Sequence, residues 1–284
     1  MDNRTKIIVI LPVHNRLNIT RNFIKCLNEQ TYKNYILLLI DDGCTDDTVD
    51  YIKQKIENLI VLSGDGNLWW AGSLNMAYKF LVNKDYAGND IVLIANDDVL
   101  FDADYFEKLI VDISNNDGSI IISPGHDIHS DFIERGFLIN WKNLLFHKMY
   151  EDGEPDAITT RCLYMKYHDY KKIGGFYPKL LPQYLSDLEY TIRAKRIGYK
   201  LHISKLTSVK VDRKTTGQHI DNSIRLRDFL YHHFISKKTA YNITYWSTFI
   251  ILTAPWKYKI RCLYLLYKRF GKRFLGFVYL KYSI

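Results

Sequence analysis

The sequence predicts an α/β fold with a mostly parallel central sheet, followed by a helical C-terminal extension rich in basic and aromatic residues. Residues 91–95 form an unbroken apolar run that ends in Asn96-Asp97-Asp98. Such a run, bounded by polar residues, reads as a strand buried on both faces. Ahead of it, short apolar runs alternate with helically spaced segments, the pattern of parallel strands joined by right-handed crossovers. Two strands end in paired carboxylates, Asp41-Asp42 and Asp97-Asp98. Ionised groups at buried strand ends need water, a cation or a donor.

The bulk numbers narrow the class. With 284 residues, 47% hydrophobic and 25% charged, the chain is globular rather than disordered. Cys26, Cys44, Cys162 and Cys262 lie far apart and form no CxxC, so neither a disulfide framework nor a zinc site is expected. The apolar run after Lys6 is broken by Pro12, too early for a secretory signal. The net charge of +8 is unevenly placed. Ten of the 39 basic residues and none of the 31 acidic ones fall in residues 229–284, so the rest of the chain is near neutral. That segment also holds 16 of the 41 aromatic residues and needs its own explanation.

In order, residues 7–11 read as a first buried strand ended by Pro12, with Val13-His14-Asn15-Arg16 as a loop. Residues 17–30 have helical spacing, with Ile19, Phe23, Ile24 and Leu27 as the apolar positions. Residues 35–40 form a second strand ending in Asp41-Asp42-Gly43. Thr45 is placed to cap the next helix, with Asp46 and Asp47 in its first turn, where the helix dipole favours anions. Residues 59–62 are a third strand, Gly64-Asp65-Gly66-Asn67 a turn-rich loop and residues 72–82 a helix. Residues 106–113 read as an amphipathic helix and 119–123 as a strand. Residues 124–157 lack a period and read as irregular strands and loops beside the cleft. His126-Asp127-Ile128-His129 is by default a surface loop, with a metal cluster the minor alternative. Residues 162–167 are a strand, and 168–173 a short helix closed by Gly174-Gly175. Ser186 is placed to cap the following helix, with Asp187 and Glu189 in its first turn. Residues 209–217 are a strand running into a loop.

In a parallel sheet the carboxyl ends lie on one side, so both acidic pairs face one cleft, where ligands of open α/β sheets sit. Hard oxygen groups there suit Mg²⁺ or Mn²⁺, which usually arrives with a substrate phosphate. Taken singly, Asn-Asp-Asp is equally a cap or turn. The first loop carries no G-x-G-x-x-G, and no P-loop pattern is present, which argues against a dinucleotide or P-loop site.

Pro12-Val13-His14-Asn15, then Asp41-Asp42-Gly43-Cys44-Thr45-Asp46-Asp47-Thr48, then Asn96-Asp97-Asp98 resemble the nucleotide-binding half of the family-two inverting glycosyltransferases, with Cys44 where that family usually has Ser. Gly66-Asn67-Leu68-Trp69-Trp70-Ala71-Gly72-Ser73-Leu74-Asn75 resembles the rhamnosyltransferase-like subgroup of bacterial surface-polysaccharide enzymes. Ser186-Asp187-Leu188-Glu189 is similar to the family's Glu-Asp-x-Asp signature, with Ser186 for Glu and Glu189 for the second Asp. The resemblance covers residues 6–215. It implies a GT-A (nucleotide-diphospho-sugar transferase) fold over residues 1–222, a UDP- or dTDP-sugar donor, Mg²⁺ or Mn²⁺, and single displacement with inversion onto a hydroxyl of a glycan or lipid-linked acceptor.

The same resemblance implies roles. Asp187 is the catalytic base. Pro12, Val13, His14 and Asn15 line the nucleotide, Asp41 and Asp42 accept from base and ribose, and Gly66, Asn67, Asn75, Asn96 and Asp97 complete the nucleotide site. Asp98 holds the cation. Asp212 stands where many relatives carry a His that completes the metal shell or touches the diphosphate, and Arg213 and Lys214 beside it are placed to meet diphosphate charge. Trp69 and Trp70 are candidates for stacking on a sugar, with core filling the alternative; Tyr184 and Glu189 complete the substrate side. Two other classes remain: a non-catalytic nucleotide-sugar-binding scaffold, and a sugar nucleotidyltransferase, whose Gly-rich basic loop is missing after the first strand.

The extension, residues 223–284, reads separately. Residues 239–256 are uncharged but contain Asn242, several Thr and Pro255, too polar and interrupted for a membrane span. The apolar-aromatic segments 262–267 and 274–280 are flanked by Lys and Arg. That pattern fits helices lying in a membrane interface, where each basic residue adds about 1 kcal/mol near an anionic surface. The alternatives are a cap that buries its aromatics on the domain, or a homodimer contact. Nucleic acid is not expected, since charge is unsupported by any binding motif. The expected location is cytoplasmic, peripheral on the inner face of the plasma membrane.

Overall fold

The computed structural model describes residues 5–130, 133–212 and 225–282. Its first half alternates β1 (Ile7–Val13), α1 (Leu17–Asn28), β2 (Tyr35–Asp41), α2 (Thr48–Lys55), β3 (Leu59–Ser63), α3 (Trp69–Leu81) and β4 (Ile91–Ile94). Then come β5 (Val99–Leu100), α4 (Tyr105–Asn115), β6 (Ser119–Ile122), β7 (Gly125–Asp127), β8 (Ile133–Glu134) and a hairpin, β9 (Phe137–Asn140) with β10 (Leu145–Lys148). β11 (Leu163–Lys166), α5 (Tyr167–Ile173), α6 (Ser186–Arg196), β12 (Lys200–Ile203) and β13 (Val209–Val211) complete the α/β part. The extension is α7 (Leu226–Phe234), α8 (Ile243–Thr253) and α9 (Lys259–Tyr282). The boundary expected at residue 222 lies outside the described residues.

Seven strands form the main sheet in the order β12-β6-β11-β4-β1-β2-β3, so the apolar run that dominates the sequence is the middle strand. All four of its residues are buried. Alternate strand residues supply two faces. Ile7, Val9 and Leu11 pack with Phe23, Ile24, Leu27 and Ile52 of α1 and α2. Ile8 and Ile10 pack with Leu74 and Ala77 of α3, Tyr170 of α5 and Tyr190 of α6. Helices on both faces explain why the central strands are apolar throughout rather than alternating. β11 is the one main-sheet strand running against the others, antiparallel to both β4 and β6. A second sheet, β5-β13-β7-β8, follows directly from the end of β4.

Several boundaries differ from the sequence reading, each for a local reason. α3 begins at Trp69 rather than residue 72, because the carboxylate of Asp42 takes the Leu68 and Trp69 N–H groups. Thr45 does not cap α2; its N–H and hydroxyl donate to Asn15, and Asp46 Oδ1 accepts from Thr48 instead. Ser186 is the first residue of α6 rather than its cap, and its hydroxyl donates to the Gln183 carbonyl. Of the extension, α8 takes the packing alternative. Phe249 shares a core with Leu181, Leu188 and Ile192, and Trp246 packs on Phe146 of the hairpin. Among the described residues no helix is long and apolar enough to cross a membrane.

Gln30, fully buried, ties α1 to the start of α4: its amide donates to the Asp102 carbonyl (2.8 Å) and accepts from the Phe106 N–H (3.0 Å). Replacing it by an isosteric apolar group removes the side-chain partner of the Phe106 N–H and one of the two donors to the Asp102 carbonyl, which keeps the Tyr105 N–H. Gln30→Leu is expected to lower the unfolding free energy by about 2–4 kcal/mol in urea titrations, with nucleotide affinity unchanged.

Candidate functional site

The parallel register sets three strand ends side by side: Val13 is level with Asp41, and Ile10 with Ile94 one residue before Ala95-Asn96. The loops leaving these ends are stitched together. Asn15, in the left-handed region (φ 51°), turns its side-chain oxygen to the Thr45 N–H (2.7 Å), and its own N–H donates to Cys44 Sγ. Asp41 Oδ1 accepts from the Cys44 N–H, closing the acidic loop after β2. His14 Nδ1 lies 2.5 Å from the Asp42 carbonyl. Across the gap, Arg16 bridges the two carboxylates after β4, 3.3 Å from Asp97 and 3.7 Å from Asp98. Thr20 also donates to Asp97 (2.8 Å).

A second wall comes from α3 and α6. Asp42 holds the start of α3 through two 3.0 Å bonds from Leu68 and Trp69. The next two N–H groups, of Trp70 and Ala71, donate to the Gln183 side chain and the Pro182 carbonyl. The loop that launches α6 is therefore fixed to the same helix end that Asp42 caps. Asp187 follows in the first turn of α6, with Leu185 ahead of it in the left-handed region (φ 68°). Trp69 (φ 59°) and Cys162 (φ 54°) share that conformation. Among the described residues, three of the five non-glycine residues with positive φ, Asn15, Trp69 and Leu185, thus lie in these loops or at their helix starts. Each costs of order 1–3 kcal/mol, and such strain concentrates at functional sites.

Two carboxyls are poised near neutrality for the same main reason. Burial pushes Asp97 up to about 6 against the pull of Arg16 and Thr20. Burial pushes Asp187 up to about 6, with Glu134 adding to the push and the Leu188 N–H and Arg161 opposing it. Arg161 pairs with Glu134 at 3.6 Å, and the neighbouring Cys162 thiol feels both Arg161 and Asp98. The register sets Asp42 and Asp98 after strands on either side of β1, and the bonds from Trp70 and Ala71 tie the loop before Asp187 to the helix end that Asp42 caps.

The cation reading is tested by the oxygens after β4. Asn96 Oδ1 and Asp98 Oδ1 are buried and make no hydrogen bond among the described residues. Asp212 lies one residue beyond the pairing of Val211 with Val99, which sets it beside Asp98; its Oδ1 also meets His129 Nε2 at 3.2 Å. These hard oxygen groups fit Mg²⁺ or Mn²⁺. Among the described residues no group of three or more His, Cys, Asp or Glu side chains is placed to hold a metal ion, at His126-Asp127-Ile128-His129 or elsewhere. An open set of this kind suits an ion that completes its shell with substrate phosphate.

Other candidates have protein partners. Glu189 is buried and bound by Arg193 through both oxygens (2.9 and 3.1 Å). Two residues along a helix from Asp187, it points to a different side. Asn75 packs against Gly175, where a Cβ would fall 2.4 Å from its Oδ1. Trp70 donates its ring N–H to Thr160, whereas Trp69 donates to Asn67. Pro12 and Val13 end β1, and Gly66, in the left-handed region (φ 82°), turns the loop that carries Asn67. The extension also reaches this wall: Lys237 donates to Asn67 (3.2 Å) and lies 5.6 Å from the Trp69 ring centre, and the Tyr184 hydroxyl donates to the Lys238 carbonyl. Arg213 and Lys214 lie outside the described residues. The sequence reading assigned no role to Arg16, Thr20, Glu134, Arg161, Gln183 or Lys237. Only Arg16, directly after His14-Asn15, carried a local signal.

The arrangement is a mostly parallel α/β sheet with acidic groups at its strand ends and a carboxyl at a helix start, the edge where open α/β sheets bind ligands. The chain belongs to glycosyl transferase family 2, whose model matches residues 8–171. An uncharacterized glycosyltransferase of Haemophilus influenzae is 25% identical over 233 residues, 74% of this chain and 69% of that protein. A match to a Rickettsia conorii glycosyltransferase, 56% identical, is confined to 45 residues and spans 8% of that protein. The fold is GT-A. Staphylococcus aureus TarS 1–349 superposes with a TM-score of 0.59 at 14% identity, covering 93% of this chain and 71% of that one. The Pyrobaculum calidifontis mannosyltransferase PcManGT gives 0.55 at 14% identity, covering 75% and 59%. In a longer TarS structure the chain spans 37% of the length.

Because Asp42 caps α3, Asp42→Ala should lower stability by about 1–2 kcal/mol in urea titrations. Asp42→Asn, whose amide oxygen still accepts, should cost less.

Proposed function

We propose that this protein is an inverting glycosyltransferase of the rhamnosyltransferase-like kind. It moves a hexosyl or deoxyhexosyl group from a UDP- or dTDP-sugar to a hydroxyl of a glycan or lipid-linked acceptor. The setting is bacterial surface-polysaccharide synthesis at the cytoplasmic face of the plasma membrane. The observation that carries the reading is the pair of buried oxygens of Asn96 and Asp98 that make no hydrogen bond among the described residues, with Asp187 at the start of a helix whose leading loop is bonded to the α3 end that Asp42 caps. A base and a cradle for a leaving diphosphate are the two ends of an inverting displacement. Support for the donor class comes from structural neighbours whose crystals hold UDP-GlcNAc (TarS) or GDP-mannose with Mn²⁺ (PcManGT).

The chain's own groups divide the work. Asp98, with Asn96 and Asp212 beside it, would hold Mg²⁺ or Mn²⁺. When bound, that ion supplies Lewis-acid neutralisation of the leaving diphosphate. Arg16, which pairs with Asp97 and Asp98, brings a protein cation to that position. Asp187 takes the proton of the acceptor hydroxyl. A base near 6 is ionised at neutral pH yet still basic enough to accept a proton, the compromise general-base catalysis favours. Trp69, held by Asn67 and Lys237, presents an aromatic wall to a sugar.

Asp187→Asn should lower transfer by at least about 100-fold while leaving UDP affinity within twofold of wild type. Wild-type turnover should rise with pH through about 6 and then level, because the raised pKa leaves Asp187 protonated and inactive below it. The variant should lose that inflection, and transfer at wild-type rate would overturn the assignment. Asp98→Ala should weaken Mn²⁺-dependent UDP binding, read by calorimetry, and EDTA should bring the wild type to the same level.

A further inference from the structure

Helix α9 has two unlike sides. Its inner side is seated on the hairpin turn: Cys262 donates to the Trp141 carbonyl, and Arg269 to the Asn143 and Leu144 carbonyls. Cys262 also joins Leu144, Ile250 and Ala254 in a small core. On the outer side Ile260 (85% exposed), Tyr264, Leu275 (68% exposed) and Tyr279 stand in water. Their spacings of four, eleven and four residues keep them along one stripe of a helix. Trp256, one turn ahead, is 87% exposed. Exposed Lys268 and Lys272 border the stripe, Lys268 lies over the Tyr264 ring at 5.7 Å, and Lys259 lies over Trp256 at the same distance.

We propose that this face of α9, with Trp256 at its head, lies in the plane of an anionic lipid bilayer surface. Charge selects this occupant. Residues 229–284 hold ten basic residues and no acidic one. An isologous contact with a second copy would bring like charges together without an acid in the segment to offset them. Anionic headgroups meet the lysines, while Ile260, Tyr264 and Leu275 enter the boundary beneath them, the arrangement of an interfacial helix. Aromatic rings such as Trp256 favour that depth. The inference names a surface for the transferase reading but is tested without it, since vesicle binding needs no nucleotide.

The test is flotation of the full chain with phosphatidylcholine vesicles containing one-third phosphatidylglycerol, and with phosphatidylcholine alone. The wild type should float with the anionic vesicles and release as salt rises from about 0.1 to 0.5 M. Ile260→Asp and Leu275→Asp, at positions already in water, should each weaken binding about tenfold without moving the thermal midpoint. Lys268→Gln with Lys272→Gln keeps the stripe and should remove the preference for phosphatidylglycerol. A wild type that stays in the aqueous fraction overturns the proposal. So do Asp variants that bind as well as wild type, or a dimer in sedimentation equilibrium that Leu275→Asp dissociates while vesicles go unbound. Loss of UDP binding by the wild type would sink the donor reading and leave this one standing.

Discussion

The constraint on which the site depends is the level parallel pairing of β2, β1 and β4. Val13 stands opposite Asp41, and Ile94 opposite Ile10. No side-chain choice at the loops could gather Asp42, Asn15 and Asp98 if these strands slipped, because a one-residue slip also turns every apolar side chain to the other face. The two helical layers forbid it: Ile7, Val9 and Leu11 belong to one core, and Ile8 and Ile10 to the other. Packing energy spent inside the sheet is what positions carboxylates at its rim.

Acidic groups gathered at that rim must be reconciled, and the protein does so differently at each. Asp41 and Asp42 accept hydrogen bonds from N–H groups of Cys44, Leu68 and Trp69, which stiffens the loops around them. Asp97 is held by Arg16 and Thr20. Asp98 keeps one oxygen without a hydrogen bond among the described residues, and Asp187 sits in the opposed fields of Glu134 and Arg161. Asp97 and Asp187 are both raised to about 6, Asp97 with Arg16 at 3.3 Å and Asp187 with Arg161, which itself pairs with Glu134. Environment, not residue type, separates a structural carboxyl from a reactive one.

The sheet was legible because burial on two faces leaves a plain mark: runs such as residues 7–11 and 91–95 have no polar interruption. The acidic pairs were legible because they close those runs. What sequence could not show is long-range. The antiparallel course of β11 depends on where the chain returns, not on Leu163 to Lys166 themselves. The early start of α3 depends on Asp42, 26 residues upstream of Leu68. Thr45 and Ser186 are good caps by type, but Asn15 and the Gln183 carbonyl compete for their hydroxyls. Arg161 and Glu134 pair because β8 of the second sheet comes beside the turn that leads into β11 of the first, a long-range arrangement. The extension was legible as basic and aromatic; that α8 buries its rings on α6 while α9 leaves a stripe in water follows from tertiary contact alone.

Lys237 and the Lys238 carbonyl, which reach Asn67 and Tyr184 from the segment between α7 and α8, bear on how this protein can be recombined. A chimera that takes its helical tail from one relative and its α/β body from another would mismatch at the wall beside Trp69. Grafting in the laboratory that keeps these contacts has to carry Asn67 and Tyr184 together with the segment between α7 and α8.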